Sequence, residues 1–316
     1  MCELSIIVPV YNIERIKINC VKQLMNLNIE NYEIIFVNDG STDSTKEVLE
    51  EIYKNNPKIV RIINKVHTGV ADTRNVGIEK SLGKYIQFVD YDDYIEEDFL
   101  KTIKKYMEKN IEIIKYKLKL VNIKEKTEKK VDGSVFLEEK TGEEAFNILY
   151  KSDVLLDSPC VYLFLKDLFV RNNLRFENNT EHEDFGLIPI VILHAKSVVS
   201  LPIYGYNYIQ SEDSITRNLN TERLKKQTRD VFKHYDNMLI QIEKMKLNEI
   251  TKQNVRLYYT NAIICKIKNI KEKHLKEFLI EFKNRKMGKN IKVRNIKQLI
   301  KRILIDIDLK WYLKYY

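Results

Sequence analysis

The chain has 316 residues, 44% of them hydrophobic and 31% charged, which is ordinary for a soluble globular protein of two units, or of one large domain with an extension. No apolar run approaches the roughly 18 residues that a membrane-spanning helix needs, and Cys2, Cys20, Cys160 and Cys265 show neither zinc nor disulfide spacing, so they read as reduced thiols. The net charge of +9 is unevenly spread: residues 217–316 carry 26 Lys plus Arg against 10 Asp plus Glu, while the rest carries 28 against 35.

The N terminus enters a strand with no basic-then-apolar leader, so we expect a cytoplasmic chain. Residues 4–10 (LSIIVPV) are a near-continuous apolar run, as in a strand buried on both faces, and Tyr11 and Asn12 stand at its end. Residues 15–27 place Ile16, Cys20, Val21, Leu24, Met25 and Leu27 at helical spacing. A second buried strand, 32–37, ends in Asn38-Asp39-Gly40, a turn that leads into capping residues and a helix at 44–54. A third strand follows at 58–63. Gly69 then precedes a helix that carries Arg74 and Asn75 and stops at Gly83. The fourth strand, 85–89, runs into Asp90, Asp92 and Asp93. Strands alternating with helices in this way predict an α/β fold with a mainly parallel sheet flanked by helices.

Clustered acids at a strand end lie on the carboxyl edge of the sheet, where open α/β sheets bind ligands. Asp90 and Asp92 are two apart and share a face on a strand, so both could reach one hard cation whose shell substrate phosphates complete. The plainer reading is a helix cap: Asp92 or Asp93 would cap a helix starting near Ile95, with Glu96, Glu97 and Asp98 favouring its dipole. The two are compatible if Asp93 caps while Asp90 and Asp92 face the ligand.

Beyond residue 99 the pattern is less regular. Residues 111–122 and 131–138 suit strands, with the charged stretch 124–130 as a surface turn, and 141–150 suits a helix. Residues 160–170 are strongly apolar. Glu181, Glu183 and Asp184 precede an apolar helical run, and 197–210 suggests a strand pair around Pro202 and Gly205. From about 218 the pattern is helical. In 291–307, Ile296, Leu299, Ile300, Ile303, Leu304 and Ile307 form one face of an amphipathic helix among lysines and arginines, and Trp311, Tyr312, Tyr315 and Tyr316 follow.

Three strand ends thus present polar groups on one edge: Tyr11 with Asn12, Asn38 with Asp39, and Asp90 with Asp92. A tyrosine there can stack on a base and an aspartate can accept from a base N–H, although each alone also fits a surface or turn residue. The segments SIIVPVYN (5–12), EIIFVNDGSTDST (33–45), GVADTRNVGI (69–78) and GKYIQFVDYDDYI (83–95), with EDFGLIP (183–189) more loosely, resemble a family 2 glycosyltransferase of GT-A fold. The resemblance implies a catalytic domain over 1–217, divided into a nucleotide-binding half (1–98) and an acceptor half (99–217), and a basic helical region over 218–316. It implies a nucleotide-sugar donor, a UDP-sugar by expectation, held by Pro9, Tyr11, Asp39, Arg74, Asp90 and Tyr91. It also implies a divalent cation, Mn2+ or Mg2+, on Asp92 with Asp90, and Asp184 as the general base of an inverting transfer to a glycan or lipid-linked acceptor in surface polysaccharide synthesis. Thr73 departs from the family's usual alanine before Arg74. No basic residue directly follows Tyr208, which leaves Arg217 or His194 to meet the diphosphate; His182 and His194 otherwise read as a loop residue and a helix-surface residue.

Two other classes compete. A nucleotidylyltransferase on a related sheet would want a glycine-rich basic loop after the first strand, and VPVYNIER has no glycine. A non-catalytic nucleotide-sugar-binding module is opposed by intact Asp90, Asp92 and Asp184. The basic C-terminal helices suit either a solvated bundle, a second copy of the chain in a homodimer, or an anionic membrane surface, the last placing the enzyme peripherally on the inner face of the plasma membrane. No nucleic-acid-binding motif accompanies the charge, so nucleic acid is not expected as a partner.

Overall fold

The computed structural model describes residues 2–13, 23–25, 27, 30–96, 98–152, 156–210, 221–293, 296, 298–300, 302–305 and 310. Its contacts divide into two compact units, Met1–Asn179 with Leu187–Ser214, and Thr180–Gly186 with Ile215–Tyr316. The short segment 180–186, which contains Asp184, groups with the second unit.

The first unit is built on one mixed sheet. Strands β1 (Leu4–Val10), β2 (Tyr32–Asp39), β3 (Val60–Lys65) and β4 (Tyr85–Phe88) pair in parallel in the order β3-β2-β1-β4. Every residue of β1 and β4 is buried, as their uninterrupted apolar sequence requires of strands covered on both faces. Helices α1 (Thr45–Asn55) and α2 (Val70–Lys80) are the crossovers that let parallel strands sit side by side. Helix α2 lies so close to β1 that a Cβ at Gly77 would clash with Ile7 Cγ2. The predicted helix at 15–27 falls mostly outside the described residues, of which 23–25 are helical.

The sheet continues through β9 (Tyr162–Leu165), β6 (Ile113–Asn122), β10 (Val198–Ile209) and the two-residue β5 (Tyr94–Ile95). β7 (Thr127–Val131) hangs on β6 and β8 (Phe136–Lys140) on β10. β9 is antiparallel to β4 and β6, whereas β10 runs parallel to β6. Helices α3 (Phe99–Glu108), α4 (Gly142–Ser152), α5 (Lys166–Arg171) and α6 (Glu183–His194) complete the connections.

Two expectations change here. Residues 127–130, read as part of a charged turn, are strand: β7 pairs antiparallel with β6, and its lysines point to solvent from an edge where charge blunts further pairing. The strand pair expected around Pro202 is one strand. β10 absorbs Pro202 at a register irregularity between Ser200 and Tyr204, where a missing backbone N–H breaks no ladder bond.

The second unit is helical, with α7 (Thr221–Lys244), α8 (Glu249–Lys268) and α9 (Glu272–Asn284). Val231, Phe232, Tyr235, Met238 and Ile242 of α7 and Val255, Tyr259, Ile263 and Ile267 of α8 form its core. Asn248 caps α8 by accepting from the Thr251 N–H. In the expected helix at 291–307, residues 296, 298–300 and 302–305 are helical, while the aromatic end at 311–316 lies outside the described residues. No helix among the described residues is long and apolar enough to cross a membrane.

Candidate active site

The carboxyl edge of the parallel strands carries the predicted donor residues. Pro9 is buried in β1, opposite Val37 of β2. Tyr11 follows β1 and is 42% exposed. Asn12 sits in the left-handed region at φ 51°. Its backbone N–H donates to Ser41 Oγ at 3.0 Å and its Oδ1 accepts from the Thr42 N–H at 2.9 Å, which fixes this turn to the one after β2.

Asp39, at the end of β2, is only 3% exposed. Its Oδ1 accepts from Lys65 Nζ at 2.5 Å and from the Thr68 N–H at 3.0 Å; its Oδ2 accepts from the Gly69 N–H at 2.9 Å and lies 2.9 Å from His67 Nδ1. Burial alone would raise its pKa, but the donors from Lys65, Thr68 and Gly69 outweigh that and hold the carboxyl below its usual range. Gly69, at φ 97°, supplies a conformation that a side chain would disfavour. The His67 ring stacks on Tyr11 with centroids 4.3 Å apart and planes 23° apart. Lys65 also reaches Asp72 Oδ2 at 3.0 Å, and Asp72 is held low by the Thr68 hydroxyl, against its own burial, together with Lys65. The structure thus gathers Tyr11, Asp39, Lys65 and His67 into one aromatic and charged corner. Lys65 and His67 were missed in the sequence; their only signal there was adjacency to the segment opening at Gly69.

A second cluster forms where β4 ends. Arg74 of α2 donates through Nη2 to Asp90 Oδ1 at 3.2 Å, and its guanidinium lies 5.6 Å from the centre of the Phe176 ring. The neighbouring Asn75 exchanges a reciprocal pair of hydrogen bonds with the Phe176 backbone, at 2.8 and 2.9 Å. Arginine and asparagine in sequence therefore do separate work: one reaches the acidic turn, the other fixes the segment under it. Cys160 Sγ lies 3.8 Å from Asp90 Oδ2, and burial, then the Asp90 charge, pushes its thiol well up. Cys2, Cys160 and Cys265 are free thiols.

Asp93 does not cap a helix. It is 2% exposed, and Tyr206 Oη donates to its Oδ2 at 2.7 Å while the Ile209 N–H donates to its Oδ1 at 2.7 Å. The residue preceding α3 is Asp98, and the helix expected near Ile95 starts later because Tyr94 and Ile95 pair with β10. Burial, then the charge of Asp90, pushes Asp93 up to about 8. Asp92 and Tyr91 remain half-exposed. Burial, then the Asp92 and Asp90 charges, raises the Tyr91 phenol.

Asp90 and Asp92 offer hard oxygen donors in a turn whose concentrated negative charge a cation would relieve. No group of three or more His, Cys, Asp or Glu side chains among the described residues could hold a metal by itself. Asp90 and Asp92 supply oxygen donors only, the chemistry that suits a hard cation whose remaining shell other ligands would complete. Asp184 stands in the first turn of α6, where its Oδ1 accepts from the Phe185 N–H at 2.8 Å. His182, expected to be an ordinary loop residue, is held in the left-handed region at φ 57° beside Lys266, and burial, then that ammonium, lowers its pKa. His194 ends α6, with its pKa lowered by burial and then by Arg171; Arg217 lies outside the described residues.

The Bacillus subtilis (strain 168) minor teichoic acid biosynthesis protein GgaB is 27% identical over 223 residues, which is 67% of this chain and 23% of that protein, so the chain spans less than a quarter of that relative. Residues 1–349 of S. aureus TarS, solved in complex with UDP-GlcNAc, superpose with a TM-score of 0.71 at 19% identity, covering 99% of this chain and 90% of that one. A mannosyltransferase from Pyrobaculum calidifontis, solved with GDP-Man and Mn2+, gives a TM-score of 0.56 at 12% identity, covering 99% and 83%. Both solved structures share the mixed α/β fold. Residues 5–170 match the family described as Glycosyl transferase family 2, a span that holds the ends of β1, β2 and β4, and the chain belongs to that family.

Proposed function

We propose that the chain transfers a sugar from a UDP-sugar to a hydroxyl of a glycan or lipid-linked polymer, with inversion, in the synthesis of a bacterial surface polysaccharide such as a teichoic acid. The observation that carries this reading is the convergence of Tyr11 and Asp39 with Arg74, Asp90 and Asp92 on one edge of the sheet. One corner offers an aromatic face and a buried carboxylate for a base. The other offers a guanidinium and two carboxylates for ribose, diphosphate and cation. GgaB and TarS, whose names and ligands point to teichoic acid and UDP-GlcNAc, support the donor and polymer classes.

In this mechanism Tyr11 stacks on uracil and Asp39 sets the edge that the base meets. Arg74, already aligned by Asp90, lies near the ribose or diphosphate. Asp92, with Asp90, would hold a divalent cation, which when bound neutralises charge on the departing diphosphate. Asp184 accepts the acceptor's hydroxyl proton as that oxygen attacks the anomeric carbon. The carbon–oxygen bond to the diphosphate breaks, and its electron pair leaves with UDP. Attack opposite the leaving group inverts the anomeric configuration.

We place the enzyme in the cytoplasm at the membrane surface. Ile296, Leu299, Ile300 and Ile303 are all exposed, Ile296 by 75%, in a lysine-rich segment. A thermal-shift series with nucleotides and Mn2+ tests the donor assignment, because a ligand that binds only the folded chain raises the melting temperature. UDP and UDP-sugars should raise it and GDP-sugars should not. No shift with any uridine nucleotide would overturn the reading.

A further inference from the structure

The segment Thr180–Gly186 groups with the C-terminal helices and not with the sheet-bearing unit that precedes it in sequence. The bonds that put it there are specific. The Glu181 N–H donates to Asp230 Oδ2 at 2.8 Å, and the Glu181 carbonyl lies 3.1 Å from His234 Nε2, the nitrogen placed to donate to it. The Glu181 carboxylate takes a forked pair from Arg223, with Nη2 at 3.0 Å and Nε at 3.3 Å. Asp230, His234 and Arg223 all lie on α7. From α8, the Tyr259 hydroxyl donates to the Phe185 carbonyl at 3.0 Å, and Lys266 Nζ meets His182 Nε2. The Phe185 ring packs on Tyr259 with centroids 4.5 Å apart.

The fit leaves no slack. A Cβ at Gly186 would clash with His234 Nδ1, so only glycine admits so close an approach of this helix. His182 is held at φ 57°, a conformation that costs a non-glycine residue free energy and persists where its surroundings enforce it. His234 and Tyr259 are both buried, so the partners are themselves fixed. Asp184 lies between the Glu181 and Phe185 anchors.

We infer that helices α7 and α8 are a positioning device for Asp184, with Arg223, His234 and Tyr259 as the positioning residues. This gives the helical region a part in sugar transfer in addition to any part in membrane attachment. It rests on the reading of Asp184 as the base. A carboxylate that must meet one hydroxyl proton needs its backbone held within a fraction of an ångström, and misplacement by about 1 Å can cost about 100-fold in rate. Forked arginine–carboxylate bonding suits that task, because it fixes orientation as well as distance.

The test uses the full chain in two arms. In the first, hydrogen exchange of the 183–186 amides is compared between wild type, Arg223→Ala, Arg223→Lys and Arg285→Ala. Arg285 pairs with Asp236 of α7 at 2.7 Å and touches none of the segment, so it controls for general loosening of the bundle. Exchange should rise about tenfold or more in Arg223→Ala, rise less in Arg223→Lys and stay unchanged in Arg285→Ala. Unchanged exchange in Arg223→Ala, or an equal rise in Arg285→Ala, overturns the clamp, and this arm needs no substrate. In the second arm, UDP release is measured with a UDP-sugar that turns over. Arg223→Ala should lower kcat about 10- to 100-fold with UDP affinity unchanged, and should add no further loss in an Asp184→Asn background. An equal loss in that background overturns the positioning role. Full turnover by Asp184→Asn alone would instead remove the base assignment, and with it the catalytic purpose of the clamp, while the exchange arm still reports whether the clamp exists.

Discussion

The Tyr206 hydroxyl donates to Asp93 Oδ2 at 2.7 Å and itself accepts from the Asp90 N–H at 3.2 Å, so one buried phenol ties the acidic turn to β10. Asp93 is thus the strut of the turn, while Asp90 and Asp92 stay partly exposed.

This strut has a pH signature. Burial, then the Asp90 charge, pushes Asp93 up to about 8 in the folded chain from an ordinary value of 3.8. Between those values the folded state binds more protons than the unfolded one, so Asp93's contribution to stability falls as pH rises from about 4 to about 8. Melting temperatures of wild type and Asp93→Asn across that range should show a steeper decline in wild type. Parallel curves would place the proton elsewhere.

Asp39→Ala should weaken UDP binding by about 1–3 kcal/mol, the scale of losing a hydrogen bond to a buried polar partner. It should also lower the melting temperature, because Lys65 and the Thr68 and Gly69 N–H groups lose their shared acceptor. Calorimetric titration with UDP reads the first effect. An unchanged affinity would remove Asp39 from base recognition.

Asp92→Ala removes a half-exposed side chain and should leave the fold intact while abolishing metal-dependent turnover. UDP release measured against Mn2+ concentration checks this. Undiminished activity at low Mn2+ would sink the metal assignment.

The exposed stripe at Ile296, Leu299, Ile300 and Ile303 should bind anionic vesicles at low salt and let go at high salt, since each nearby Lys or Arg contributes about 1 kcal/mol. Changing all four to serine is a cleaner probe than deletion from residue 289. Asn290 bridges Tyr235 and Thr260 at 2.9 Å each, so a deletion there would cut into the bundle. Co-sedimentation of wild type should fall sharply in the quadruple variant, and wild type that ignores vesicles at low salt would rule out the membrane reading.

The strand ends that carry the candidate site were legible in the sequence, because buried parallel strands advertise themselves as unbroken apolar runs that stop at polar residues. Tyr11, Asp39, Asp90 and Asp92 were visible for that reason. What was hidden depends on partners far away in the chain. Asp93 looked like a cap because its neighbours are acidic, and nothing local shows that Tyr206 and Ile209 would bury it. His67 gives no local sign of stacking on Tyr11. β7 carries the charge of a turn because an edge strand tolerates it. The anchoring of Glu181 by Arg223 and His234 crosses more than forty residues of sequence and leaves no periodic trace.

The most direct test of the account is the rate of UDP release from UDP-sugars with Mn2+, for wild type and Asp184→Asn. Wild type should turn over a uridine donor, and Asp184→Asn should bind UDP equally well while losing about 10²- to 10⁴-fold in rate, the span of general-base catalysis. Asp184→Asn turnover equal to wild type, or no release from any uridine donor by the wild-type chain, would contradict it.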